Sequence, residues 1–179
     1  MSSSSSPHVS ASGARLLFDP ALVPSSIGGR LPSHIVVRPL ARDDHANAHI
    51  QLLSTLTVAP DLSPETYEAR FDAMLASPET YFVLVFAHKE TGKILASASL
   101  MVELKFLRDA GKVGHIEDVV VDPECKGQSL GKIMIQGLSE LGMQRGCYKV
   151  ILDCDAKNAG FYEKCGYRNV GVEMAIYKQ

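Results

Sequence analysis

The sequence lacks an excess of either charge: 18 lysines and arginines stand against 20 aspartates and glutamates, a formal net charge of −2. That removes the electrostatic footprint of a protein that grips a nucleic-acid backbone or an anionic membrane, and neither partner is expected. Long apolar runs are absent as well. The longest, residues 81–87, falls far short of the roughly 20 residues that span a bilayer, so it reads as a core strand. Cysteine is scarce, and Cys125, Cys147, Cys154 and Cys165 form no C-x-x-C pair. They are expected as reduced thiols in a cytoplasmic protein. His115-Ile-Glu117 with Pro123-Glu-Cys125 approximates a zinc deaminase signature but lacks the second cysteine and the spacing, so no metal is expected.

Other familiar signals are missing too. The serine-rich start has no apolar segment for a secretory signal and too few arginines for a transit peptide. Residues 1–15 are therefore expected to be a disordered leader. Residues 16–33, with Pro20, Pro24, Pro32, Gly28 and Gly29, read as an N-terminal arm ahead of a domain over 34–179. No internal repeat is visible.

What remains is the patterning of one ordinary-sized domain. Residues 34–40 read as a first strand. Asp43 or Asp44 can cap a helix with Ala46, Ile50 and Leu53 inward. Ser63-Pro64-Glu65 starts a second helix, with Tyr67, Phe71, Met74 and Leu75 inward. Strands at 81–87, 94–104 and 115–121 follow, linked by turn chemistry around Gly92 and Gly111, which favours an antiparallel meander. Leu130, Ile133, Met134, Leu138 and Leu141 then repeat at helical spacing, and Gly142 or Gly146 can end that helix. A strand over 147–154 with Tyr148, Val150 and Leu152 on one face, a short helix over 158–164 and a last strand over 167–178 complete the order. The fold class is α/β (α+β): a mixed, mostly antiparallel sheet flanked by helices.

The chemistry concentrates in residues 115–132. The apolar run Val119, Val120, Val121 stops at Asp122-Pro123, and a loop containing Gly127 and Gly131 leads into a helix. A strand, a tight turn and a helix start present free backbone N–H groups and a positive dipole end, a seat for phosphate or pyrophosphate. The loop is neither a Walker loop, since Ile133 stands where Ser or Thr is required, nor a G-x-G-x-x-G dinucleotide turn. A plain strand-to-helix turn reads equally well from these residues alone. Glu117 and Asp118 are strand neighbours expected to point to opposite faces. Asp153 should project from the end of the next strand, with Asn158, Phe161 and Tyr162 beyond it. A phenol aimed into a cleft could protonate a leaving thiolate, although both aromatics could equally be core. Lys105, Arg108 and Lys112 form a basic cluster suited either to solvent or to an anionic substrate group.

The segment 119–132, followed by helix, strand and Asn158-x-x-x-Tyr162, resembles the acetyl-CoA site of the GNAT N-acetyltransferase superfamily. Its loop, written Q/R-x-x-G-x-G/A, corresponds to Lys126, Ser129 and Gly131, so the first two positions depart from the pattern. Within that superfamily, residues 114–121 (Gly-His-Ile-Glu-Asp-Val-Val-Val), 146–154 and 158–166 resemble the glucosamine 6-phosphate N-acetyltransferases. The resemblance implies the GNAT fold and a cytoplasmic homodimer that transfers acetyl directly from acetyl-CoA, as cosubstrate, to the amine of D-glucosamine 6-phosphate on the route to UDP-N-acetylglucosamine. It implies that Val119, Val120, Val121, Gly127, Gln128, Ser129, Leu130, Gly131, Lys132, Asn158, Tyr162 and Lys164 hold the coenzyme. Glu117, Asp118 and Asp153 would contact the amino sugar, and Thr57, Lys105 and Arg108 its phosphate. Asp153, Tyr162 and Glu117 would be catalytic. Some relatives carry an arginine near the C-terminus where Tyr177-Lys178 stands here. A different acceptor amine, or a non-catalytic acyl-CoA-binding protein, is the competing reading.

Overall fold

The computed structural model describes residues 8–10, 13–59 and 61–178. Five strands, β1 (Ile35–Pro39), β2 (Tyr81–His88), β3 (Ile94–Leu104), β4 (Lys112–Val121) and β5 (Cys147–Ile151), lie side by side in chain order. The first four run antiparallel and β5 runs parallel to β4. The helices are α1 (Ser25–Gly28), α2 (His49–Leu53), α3 (Pro64–Leu75), α4 (Leu107–Ala110), α5 (Leu130–Gln144) and α6 (Ala159–Glu163). Three-residue 3₁₀ turns occupy Pro20–Leu22, Pro123–Cys125 and Ala156–Asn158. The apolar run becomes β2, whose six inner residues are all buried, so both faces of the strand are covered. The α5 crossover supplies the parallel connection, with Leu130, Ile133, Met134, Leu138 and Leu141 buried against the sheet as their spacing predicts.

Two expectations need correction. The helix expected from Asp43 or Asp44 begins only at His49, because Asp44 serves another purpose. Its fully buried carboxylate takes a two-pronged bond from Arg38 at 2.6 and 2.7 Å, the Ala41 N–H at 2.7 Å and the Asn47 amide at 2.9 Å. Burial pushes this carboxyl up, but those donors outweigh it and hold it below the ordinary carboxylate range. The loop 41–48 is thereby tied down, and Ala48 enters α2 at a left-handed φ of 64°. The last strand expected over 167–178 does not form within this chain. Residues 168–178 pair with no edge among the described residues, and Val170, Val172, Met174 and Ile176 are 75–99% exposed. An alternating sequence makes a strand only where an edge accepts its hydrogen bonds.

The N-terminal arm is set into the domain. Leu17, Phe18 and Ile27 belong to the core, and the Phe18 ring meets Phe82 edge-on at 5.2 Å. Ile27, fully buried, fills the notch left by Gly137 on α5, where a Cβ would lie 2.4 Å from its Cδ1. Ser26–Glu140 and Arg30–Gln136 hydrogen bonds flank this contact. Of the expected leader, residues 1–7, 11 and 12 lie outside the described residues, while Val9 and Arg15 form an isolated antiparallel bridge. Replacing Ile27 by Ala should lower the unfolding free energy by about 2–5 kcal/mol in a denaturant titration. A loss under about 0.5 kcal/mol would show that the arm unfolds separately from the domain.

Candidate active site

The site begins with a defect in the sheet. Ser97 pairs with Val120 and Ser99 with Glu117, so Ala98 faces two residues of β4. This is a β-bulge, and Asp118 takes a left-handed φ of 53° within it. On its other side β4 pairs with β5 only over 112–115. Beyond His115 the two parallel strands part, leaving one edge of residues 116–121 without a strand neighbour. An unpaired edge is a template for any extended chain bearing amides.

Past Val121 the chain turns through the 3₁₀ segment and the loop 126–129 into α5. The first helical bond runs from the Ile133 N–H to the Ser129 carbonyl at 3.1 Å. The N–H groups of Leu130, Gly131 and Lys132 precede that ladder, and no side chain caps them. Val119, Val121, Gly127, Ser129, Leu130, Gly131, Lys132, Asn158 and Tyr162, all singled out from the sequence, line one cavity of about 340 Å³ with these donors. Gly131 keeps the wall close: a Cβ there would sit 3.3 Å from the Phe161 ring. Free N–H groups, the helix dipole and Lys132 suit the cavity to the phosphates of a coenzyme. Three expected residues do not line it: the Val120 side chain is buried in the core, the Gln128 Oε1 is buried without a hydrogen-bond partner among the described residues, and Lys164 is the C-cap of α6.

The acids gather on the neighbouring side. Asp153 and Tyr162 line a further cavity of about 270 Å³ between β5, α6 and the chain after Tyr167. Tyr162 therefore stands in the wall of both cavities. Burial, with Cys154 and Cys165 nearby, raises its phenol, which keeps the proton. Glu117 is raised by burial first and then by the charges of Asp153, across the parted strands, and of Asp118 beside it. Asp118 itself looks into a pocket beneath α2 and α3.

The basic residues do not converge on these acids. The Lys105 ammonium rests on Glu103, which also binds His115 Nε2 at 3.0 Å. Arg108 lies in the left-handed turn of α4 with its guanidinium 5.7 Å from the Tyr148 ring centre. Thr57 follows α2, its N–H bonded to the Leu53 carbonyl at 3.4 Å, and lines none of the three cavities.

Sequence reasoning missed several residues here. Cys125 lines the loop cavity, beside Lys126, which the loop pattern had already marked. His49, Tyr67 and Ser97 form a buried chain, with Tyr67 OH 2.8 Å from His49 Nδ1 and Ser97 Oγ 3.0 Å from Nε2. A histidine on the apolar stripe of a helix was the available signal, since a buried imidazole needs partners. The loop also carries strain where a serine replaces the pattern's glycine: Ser129 sits at φ 58°, ψ 16°. Ser129→Gly should therefore stabilise the fold by about 1 kcal/mol, read as a rise in melting temperature. An unchanged or lower melting temperature would show that the serine side chain offsets its backbone strain.

Residues 46–167 match the model of the acetyltransferase (GNAT) family. A protein from Arabidopsis thaliana named glucosamine 6-phosphate N-acetyltransferase is 42% identical over 141 residues, covering 79% of this chain and 95% of that one. A protein of the same name from Trypanosoma brucei brucei is 48% identical over 122 residues, 68% of this chain and 82% of that one. The crystal structure of glucosamine-6-phosphate N-acetyltransferase from Arabidopsis thaliana superposes with a TM-score of 0.79 at 41% identity, covering 81% of this chain and 99% of that one. Bulged β4, parted β5 and an uncapped helix start thus occur in a chain that belongs to the acetyltransferase (GNAT) family, whose members transfer acetyl from acetyl-CoA.

Proposed function

We propose that this protein is a glucosamine 6-phosphate N-acetyltransferase, moving acetyl from acetyl-CoA to the 2-amino group of D-glucosamine 6-phosphate. The observation that carries the reading is Tyr162, shared between the phosphate-seating cavity and the cavity of Asp153. The names of relatives at 42% and 48% identity support this acceptor. The coenzyme's phosphates rest on the N–H groups of Leu130, Gly131 and Lys132, and its amide arm adds along 119–121. Asp153, beside Glu117, takes the ammonium proton so that the neutral amine attacks the thioester carbon. Backbone N–H groups at the β4 bulge stabilise the oxyanion. The C–S bond breaks and Tyr162 protonates the departing thiolate. No acyl-enzyme is needed, because both reactants are held together.

The sugar phosphate is held by Thr57, Lys105 and Arg108. Lys105 must leave Glu103 to reach it, so binding and rearrangement are linked. The chain acts as a homodimer. Support comes from the segment 168–178, whose apolar side chains alternate in sequence yet stand exposed without a sheet edge. A second copy offers that edge and completes each site. Four free thiols suit the reducing cytoplasm, and no helix among the described residues is long and apolar enough to cross a membrane.

Thiol release with several amines tests the assignment. D-glucosamine 6-phosphate should exceed unphosphorylated glucosamine in kcat/KM by about a hundredfold, the worth of two charge-assisted hydrogen bonds. Equal turnover of the two sugars, or preference for a peptide amine, would overturn it. In the same assay Tyr162→Phe should lower kcat about a hundredfold while leaving acetyl-CoA affinity nearly unchanged. Sedimentation should give a dimer for the full chain and a monomer after removal of 168–179. A monomeric full chain would exclude the shared sheet.

A further inference from the structure

A cavity of about 160 Å³ beneath α2 and α3 has no part in the steps above. Ile50, Leu53, Phe71 and Met74 form its apolar walls, and Ser97, Ser99 and Asp118 close it against the sheet. Its deepest polar groups are already spent on one another. His49 is held between Tyr67 and Ser97, one ring nitrogen donating and the other accepting. Burial pushes His49 down to about 4, so it stays neutral and adds no charge. Arg70 and the Asp118 carboxylate also stand in its wall, but most of the lining is hydrocarbon, so the chamber rewards an apolar guest more than a sugar.

Its position says which guest. The loop cavity meets β4 at Val121 and Val119, and this one meets β4 at the next residue, Asp118. Its floor on β3 pairs with the residues around the bulge, Ser97 with Val120 and Ser99 with Glu117. An extended arm starting at the head of α5 and running back along β4 covers about 3.3 Å per residue, and its reactive end arrives beside Asp118. The group attached to the thioester carbon then faces the mouth of the apolar chamber.

Resting on the proposed use of acyl-CoA, we infer that this chamber receives the acyl tail and that the enzyme takes thioesters of short straight-chain acids, propionyl and butyryl, besides acetyl. Size permits it, since an apolar cavity of about 150 Å³ can hold a benzene ring. Butyryl adds only two methylenes to acetyl.

Calorimetric titration of the full chain with acetyl-CoA and butyryl-CoA tests the inference independently of any acceptor. Butyryl-CoA should bind about tenfold more tightly, the effect of burying two methylenes. Leu53→Phe, which fills the chamber from α2, should abolish that difference, and Met74→Phe should do so from α3, each variant first checked for an unaltered thermal transition. With D-glucosamine 6-phosphate as acceptor, the ratio of butyryl to acetyl kcat/KM should fall about tenfold or more in the filled variants. Equal wild-type affinity for the two thioesters, or filled variants that keep the difference, would overturn the chamber's role. Failure of every thioester to transfer, with the affinity difference intact, would instead count against the proposed reaction and leave the acyl chamber supported.

Discussion

The arrangement depends on one extra residue in β4. Where Asp118 and Val119 together face Ala98, the ladder with β3 slips, and beyond His115 the strand loses β5 as a neighbour. Without that departure β4 and β5 would continue as an ordinary parallel pair, and their amides would satisfy each other. With it, a row of backbone donors stands open inside the domain, and Glu117 lies close enough to Asp153 and Asp118 to feel both charges. The cost is local: a non-glycine residue at φ 53°, and a Glu117 whose proton affinity is raised by burial and by the carboxylates of Asp153 and Asp118. Such a cost persists only where the surrounding sheet over-determines the geometry.

Polar burial follows two different rules on the two sides of this gap. Under α2 every buried polar group is saturated. Asp44 takes four donors, and His49 is held at both nitrogens. These networks fix the loop 41–48 and the floor beneath Asp118 so firmly that the bulge has something rigid to lean on. At the start of α5 the donors are left open instead, with no side-chain cap and a strained Ser129 at the turn. Saturation gives rigidity, and open donors give a place for an anion. The same contrast separates Tyr162, in the wall of two cavities, from Tyr67, sealed against His49.

Much of this was legible in the residue pattern. The α5 stripe and the Ser63 cap follow from spacing and hydrogen-bond chemistry that act within a few residues, and Ser63 Oγ does accept the Thr66 N–H at 3.2 Å. Most of the coenzyme-side residues proved to share one cavity because they lie consecutively on a strand, a turn and a helix start. The errors arose where a distant partner outbid a local rule. Asp44 looked like a cap until Arg38 claimed it, and the Tyr148 ring, read as sharing one strand face with Val150 and Leu152, stands exposed beneath Arg108. The family loop pattern likewise gave no hint that Lys105 would be occupied by Glu103.

The five strands, the buried stripe of α5 and the tight turn that starts it were set by the sequence alone, since periodicity, capping and turn chemistry are short-range. The bulge, the parting of β4 from β5, the buried histidine chain and the lack of an edge for residues 168–178 were decided only by the tertiary structure. Each depends on which strand or helix arrives alongside, and a register between distant segments leaves no mark in the residues next to one another.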